Sequence, residues 1–140
     1  MKNKIKSVVV VAETQERFEA IENEILSLFP NKVLEVNFLL PTPKLETLLS
    51  QAIELNPDLV ICDYVLNELE SGIKFEIFYD GLKLMLNLIK SNCLINTEFY
   101  LLGEYFDIQK GFKIFNNKIQ VGCLSELKTF LFQETEDSSS

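Results

Sequence analysis

Residues 57–63 read Pro-Asp-Leu-Val-Ile-Cys-Asp, and this stretch indicates the fold more clearly than any other part of the chain. Its four consecutive apolar residues, 59–62, favour a strand buried on both faces, as in the centre of a parallel sheet. The preceding Asn56-Pro57 ends a helix, because proline cannot continue one. Since the apolar run stops at a carboxylate, Asp63 is predicted to stand at the carboxyl end of this strand.

Segments on both sides of this stretch alternate between strand and helix patterns. Strands are predicted over residues 8–11, 33–40, 58–63, 98–102 and 118–123. A first helix is predicted after Thr14, which can cap it, with Arg17 in its first turn. Further helices are predicted over residues 45–55, 81–91 and 108–115, and after a cap at Ser125. This alternation implies right-handed βαβ units and a parallel sheet covered by helices on both faces.

Length and composition predict one compact domain, residues 1–132, followed by an acidic disordered tail, residues 133–140. The 140-residue chain is 47% hydrophobic, which is enough for a sizeable core. Its net charge of −8 disfavours nucleic acid and anionic lipid as partners and favours a cation or a basic protein surface. No apolar run approaches the roughly 18 residues of a membrane span, so a cytoplasmic protein is expected.

Several enzyme classes lack the residues that they require. The chain has three cysteines and no histidine, which argues against structural zinc and against Cys-His catalysis. The cysteines are therefore expected to be small buried residues in a reducing compartment. Residues 12–17 contain no glycine, unlike a phosphate-binding loop, and no Gly-x-Ser-x-Gly turn is present. We expect a protein that is not an enzyme.

Two acidic residues follow predicted strands that end at the same edge of the sheet. Ligands bind to such sheets outside the carboxyl ends of the strands, and Glu13 and Asp63 would both lie there. Two carboxylates that converge favour a hard cation such as Mg²⁺. Alternatively, each acid simply terminates its strand in solvent.

The same residues resemble response-regulator receiver domains over roughly residues 5 to 132. Residues 57–63 resemble the third strand with its phospho-accepting aspartate, residues 8–14 the first strand with its acidic pair, and Asp80-Gly81-Leu82 the start of the third helix. The resemblance implies a doubly wound, five-stranded parallel sheet of order 2-1-3-4-5, the flavodoxin/CheY-like α/β fold. It also implies Asp63 as acceptor, and Glu13, Asp63 and the Val65 carbonyl as ligands of Mg²⁺, with no other cofactor.

The chain departs from the receiver pattern at several positions. Ala12 replaces one of the two usual acids, and Leu102 or Gly103 stands where a hydroxyl residue is usual. The lysine that usually ends the fifth strand and the proline that follows it are replaced by Gly122 and Cys123. An alternative alignment brings Lys118 to that place, but it requires a short fifth strand over residues 114–117. Ile119 stands where many receivers have an aromatic residue.

The segment of seventeen residues from Tyr64 to Asp80 is more than twice as long as its counterpart in a typical receiver. Its aromatic residues Phe75, Phe78 and Tyr79 are candidates for docking a protein partner beside the acidic site. The alternative is an elaborated loop whose aromatic side chains pack onto the third helix.

These features predict a stand-alone receiver-like signalling module in a two-component-type pathway. It would act by protein–protein interaction, without the standard phosphorylation switch. Its partner would be a histidine kinase or a downstream signalling protein. The alternative is a functional single-domain response regulator, phosphorylated on Asp63 by a histidine kinase with Mg²⁺. A third option is a homodimerisation domain whose family site is vestigial.

Overall fold

The computed structural model describes residues 5–31, 33–64, 66, 80–103, 119–129 and 131. The strands are β1 (Ser7–Val11), β2 (Glu35–Leu39), β3 (Leu59–Asp63), β4 (Glu98–Leu102) and β5 (Ile119–Gly122). The helices are α1 (Gln15–Leu28), α2 (Leu45–Leu55) and α3 (Gly81–Lys90), followed by a 3₁₀ turn at Leu124–Glu126. The strands pair in parallel in the order β2-β1-β3-β4-β5, so the predicted fold class and strand order are confirmed.

The boundaries of these elements follow local chemistry. Thr14 caps α1 as predicted, because its Oγ1 accepts a hydrogen bond from the backbone N–H of Arg17 at 3.1 Å. The edge strand β2 is shorter than predicted at both ends, where Val33 is 96% exposed and Leu40 is 55% exposed. Helix α2 ends at Asn56, which adopts a left-handed conformation with φ 44°. The helix predicted over residues 108–115 lies outside the described residues. The predicted tail, residues 133–140, also lies outside them.

The core consists of two apolar layers, one on each face of the sheet. Alternate residues of a strand point to opposite faces, so continuous apolar runs supply both layers at once. One layer joins the inner faces of α2 and α3 to Val9, Val11, Val60, Cys62, Phe99 and Leu101. The other joins α1 and the last helical residues to Val8, Val10, Leu59, Ile61, Tyr100 and Leu102.

The last helical segment begins differently from the prediction, which placed its cap at Ser125. Cys123 is the cap instead, and Ser125 lies inside the 3₁₀ turn that precedes helical residues 127–129. The backbone N–H of Cys123 donates to Glu126 Oε1 at 3.0 Å, which begins the turn two residues earlier than a cap at Ser125 would. Leu127 and Leu131 are buried, as their helical spacing predicted.

The expectation that all three cysteines are buried is wrong for two of them. All three are free thiols, but only Cys62 is buried, whereas Cys93 is exposed and Cys123 is partly exposed. Cys93 follows α3 in a turn that contains Asn92 at φ 59°, and such connections run over the surface. No described helix has the length and apolar character required to cross a membrane.

The side chain of Tyr100 leaves room only for a glycine at position 122, the end of β5. The Tyr100 hydroxyl donates a 2.7 Å hydrogen bond to the carbonyl of Cys123 and is held against the glycine. A Cβ atom at position 122 would overlap that hydroxyl and lie 3.1 Å from Glu126 Oε1. The obstacle to a larger residue is therefore steric.

We predict that Gly122→Ala lowers the free energy of unfolding by about 1–3 kcal/mol, the usual cost of overpacking. Tyr100→Phe removes the overlapping hydroxyl together with its hydrogen bond, at a cost of about 1 kcal/mol. Because the overlap disappears in the double variant, its loss should be clearly smaller than the sum of the two single losses. Urea unfolding of the native chain, the two single variants and the double variant measures the coupling between the two positions. Strictly additive losses of free energy would contradict the assigned contact.

Candidate functional site

The candidate site lies at the carboxyl ends of the central strands, around Asp63. Asp63 pairs with Leu102 and Leu102 pairs with Gly122 across β3, β4 and β5. Val11 pairs with Cys62, so Ala12 is the residue that follows β1 at the height of Asp63. Glu13 comes one residue later and is half-buried. Both predicted acids therefore lie at this edge of the sheet.

The direction of the Asp63 side chain follows from the alternation along β3. Leu59 and Ile61 belong to the layer under α1, and Asp63, two residues further on, faces the same side. Ala12 and Leu102 also belong to that layer. The carboxylate thus stands between two apolar neighbours, beneath the first turn of α1, where a cationic group from that helix can offset its charge.

Arg17 supplies that group. Its Nε donates to both carboxylate oxygens of Asp63 at 3.1 Å, and its Nη2 donates to Oδ1 at 2.9 Å. The Asp63 side chain is 13% exposed and that of Arg17 is 31% exposed, so the pair is partly screened from water. Such two-pronged contacts between guanidinium and carboxylate are among the stronger hydrogen-bonded pairs in proteins.

The position of Arg17 is unusual for a cation in a helix. It is the third residue of α1, in the first turn, where the helix dipole disfavours positive charge by about 0.3–1 kcal/mol. Charge-assisted hydrogen bonds to a partly buried carboxylate contribute about 1–3 kcal/mol after allowance for the exposed side of the arginine. The pair with Asp63 therefore outweighs the unfavourable dipole. Sequence reasoning missed this role, although a cation in the first helical turn was the available signal.

A second contact joins the start of α3 to the end of β3. The backbone N–H of Gly81 donates to the Tyr64 carbonyl at 2.8 Å, and that of Tyr64 donates to the Leu102 carbonyl at 3.0 Å. A Cβ atom at position 81 would overlap the Asp63 carbonyl oxygen and lie 2.9 Å from Leu101 Cδ1. Glycine at this position thus allows α3 to begin directly against the site.

Asp80 caps α3 and also interacts with Tyr64. Its Oδ1 accepts from the backbone N–H of Lys83 at 2.8 Å, and its carboxylate accepts from the Tyr64 hydroxyl. Partial burial, followed by the charge and the hydrogen bond of Asp80, raises the pKa of Tyr64 above 10.0. The Cys62 thiol is buried nearby. Its burial, followed by the negative charges of Asp63 and Asp80, raises its pKa well above 9.0, so this cysteine stays neutral.

Comparison with solved structures identifies the fold. The chain resembles the signal receiver domain of a DNA-binding response regulator (merR) from Colwellia psychrerythraea 34H. The two structures match with a TM-score of 0.62 and 14% sequence identity, and the match covers 94% of this chain and 98% of that chain. The chain also resembles the non-phosphorylated receiver domain of the stress response regulator RcsB from Escherichia coli. This match has a TM-score of 0.61 and 11% sequence identity, and it covers 97% of this chain and 94% of that chain.

The chain has the receiver-domain fold. No protein-family model matches the sequence, and no curated protein does either, so the likeness is one of structure. At 14% and 11% identity, it establishes the arrangement of strands and helices and leaves the chemistry of the site to be argued from this chain's own residues.

Within this receiver fold, the observed β5 supports the first of the two alignments of the fifth strand. The strand runs Ile119–Gly122, with Gly122 level with Leu102 at the carboxyl end. Gly122 and Cys123, which that alignment sets against the usual lysine and the proline after it, therefore lie at the end of β5. Lys118, the alternative, precedes the strand in sequence and lies outside the described residues.

The residues around Asp63 do not fit the divalent cation that the fold family implies. Both carboxylate oxygens are engaged by Arg17, and Ala12 replaces an acid of the usual pair. In the described part of the chain, no group of three or more Asp, Glu, His or Cys residues could hold a metal ion. The proposed third ligand, the Val65 carbonyl, lies outside the described residues, as do Phe75, Phe78 and Tyr79.

We predict that Asp80→Asn lowers the pKa of Tyr64, because the amide keeps a capping oxygen for α3 but removes the carboxylate charge. Because this pKa is raised, the protonated Tyr64 contributes to the free energy of unfolding, and the contribution is complete below pH 10.0. It falls as the pH rises through the pKa of Tyr64 in the folded state. Near-ultraviolet absorbance of tyrosinate during a pH titration measures the change.

Tyr64→Phe identifies this residue's share of the absorbance, since the chain has four tyrosines. An unchanged titration in Asp80→Asn would show that the carboxylate does not act on the Tyr64 hydroxyl.

Proposed function

We propose that this chain is a stand-alone receiver-like signalling module that acts by protein–protein interaction, without the standard phosphorylation switch. The observation that carries the proposal is the set of residues at the height of Asp63. Ala12, Leu102 and Gly122 occupy the neighbouring strand ends, and none has a hydroxyl or a charge. The acceptor position of a receiver is present, but the groups that make phosphorylation effective are replaced.

The physical consequence concerns both the phosphoryl group and the response to it. A lysine beside a phosphorylated aspartate makes a charge-assisted contact worth roughly 1.5–3 kcal/mol, and a glycine makes none. A hydroxyl at the end of β4 would move with the phosphoryl group and convert the charge into a change of shape. Leu102 is buried in the layer under α1, and its side chain has no polar atom that could bind the phosphoryl oxygens.

The proposed partner is a protein, either a histidine kinase or a downstream signalling protein, and the proposed compartment is the cytoplasm. A net charge of −8 favours a basic surface on that partner, since opposite potentials speed association and select among partners. Phe75, Phe78 and Tyr79 remain the predicted docking residues, because interfaces are enriched in aromatic side chains. A second copy of the chain is the alternative partner.

The second candidate is a functional single-domain response regulator, phosphorylated on Asp63 with Mg²⁺. The placement of Asp63 at the carboxyl end of the central strand favours it, because receivers carry their acceptor there. The two candidates differ in one measurable property, the response to a phosphoryl analogue.

We expect the amide spectrum of the isotope-labelled chain to stay unchanged when Mg²⁺ and beryllofluoride are added. The reason is that Arg17 engages both Asp63 oxygens and that the neighbouring strand ends offer no ligand for the analogue. Nuclear magnetic resonance measures this directly, with Asp63→Asn as the matched control. Shifts around Asp63 that appear in the native chain and are absent from Asp63→Asn would establish the second candidate instead.

We expect replacement of Phe75, Phe78 and Tyr79 by serine to abolish recovery of the protein partner, while Asp63→Asn retains it. The aromatic side chains would supply buried apolar area at the interface, whereas the carboxylate would be occupied within the chain. Crosslinking in the source cells followed by mass spectrometry identifies the partner, and light scattering detects a second copy. Equal recovery with the folded serine variant would contradict the docking assignment.

A further inference from the structure

The carboxylate of Asp63 carries a guanidinium group where the fold family places a divalent cation. We propose that Arg17 is a built-in counter-ion that takes the place of that cation and keeps the site closed to Mg²⁺. This inference deepens the proposed function and rests on it, since a permanent internal cation would remove the dependence of receiver chemistry on a metal.

The geometry of the pair supports the exclusion of a cation. Arg17 Nε lies 3.1 Å from each oxygen of Asp63, and Nη2 lies 2.9 Å from Oδ1. Mg²⁺ would need one of these oxygens at about 2.0–2.1 Å, which would bring it close to the guanidinium group that binds both oxygens. The arginine and the cation therefore compete for the same carboxylate.

Charge acts in the same direction as geometry. A unit positive charge within a few Å of a bound divalent cation lowers the affinity for that cation by at least about tenfold in a partly buried site. Arginine does not lose its proton at any physiological pH, whereas a lysine in the same place could do so when desolvated. The positive charge of the counter-ion is consequently present at any pH within the cell.

The placement of Arg17 is set by a rigid element. The backbone N–H of Arg17 is held by the Oγ1 of Thr14, and the next residue, Phe18, is buried under the sheet and stacks on Phe38 with the ring centroids 4.4 Å apart. The first turn of α1 is thus anchored on both sides of the arginine. Such anchoring keeps the guanidinium aimed at Asp63, against the unfavourable helix dipole.

The test is a titration of the full isotope-labelled chain with Mn²⁺, which broadens the amide signals of residues near its binding site, followed by competition with Mg²⁺. Four proteins are compared: native, Arg17→Gln, Arg17→Gln with Asp63→Asn, and Lys90→Met. Lys90 is exposed at the far end of α3, so its replacement removes one positive charge without touching the site.

We expect broadening around Asp63 and Glu13 only in Arg17→Gln, with an affinity at least about tenfold above that of the native chain. The native chain, Lys90→Met and the double variant should show none at this edge. Broadening centred on Asp63 in the native chain would overturn the proposal, and so would the absence of any gain in a folded Arg17→Gln.

Loss of Arg17 removes its three hydrogen bonds from a partly buried carboxylate, so Arg17→Gln could unfold. In that case Mg²⁺ should refold it, because a ligand that binds only the folded state stabilises that state by mass action. Failure of Mg²⁺ to restore the folded spectrum would then overturn the proposal. No phosphoryl analogue is present in these samples, so cation binding by the native chain refutes the counter-ion, whereas a beryllofluoride response refutes the proposed function.

Discussion

Strand β3 has to be apolar on both faces, because helices cover the sheet on each side. Leu59 and Ile61 fill the layer under α1, and Val60 and Cys62 fill the layer under α2 and α3. All four residues are fully buried, and each layer would lose its centre without them. The neighbouring strands β1 and β4 are subject to the same requirement, which explains their continuous apolar sequences. Polar chemistry is therefore confined to the strand ends.

Strand β3 ends at Asp63, a charged residue whose position has to be compensated by its neighbours. Asp63 continues the alternation of the strand and faces α1, so its charge enters a layer that is otherwise apolar. The cost of partial burial is offset by a guanidinium from the helix above it, at distances of 2.9–3.1 Å. Asp63 thus serves as an anchor for α1, and any other ligand of this carboxylate would have to compete with Arg17.

The remaining strand ends fit this interpretation. Leu102 is buried beside Asp63, and Gly122 is kept small by the Tyr100 hydroxyl, which binds the carbonyl of Cys123. These contacts fill the space beside Asp63 and at the end of β5 with apolar and internally bonded groups. Within the described residues, the edge of the sheet is packed, and this packing supports the proposed module that acts through a surface.

The sequence alone determined the strands, the doubly wound class and the position of Asp63 at the edge of the sheet, because apolar runs and helical spacing are local patterns that burial imposes directly. Resemblance to receivers supplied the strand order, which the structure confirms. Only the tertiary structure decided that Arg17, forty-six residues from Asp63 in sequence, is its partner. It also decided that Gly122 ends β5. Both features depend on the register between distant segments, and a local pattern of residues does not encode that register.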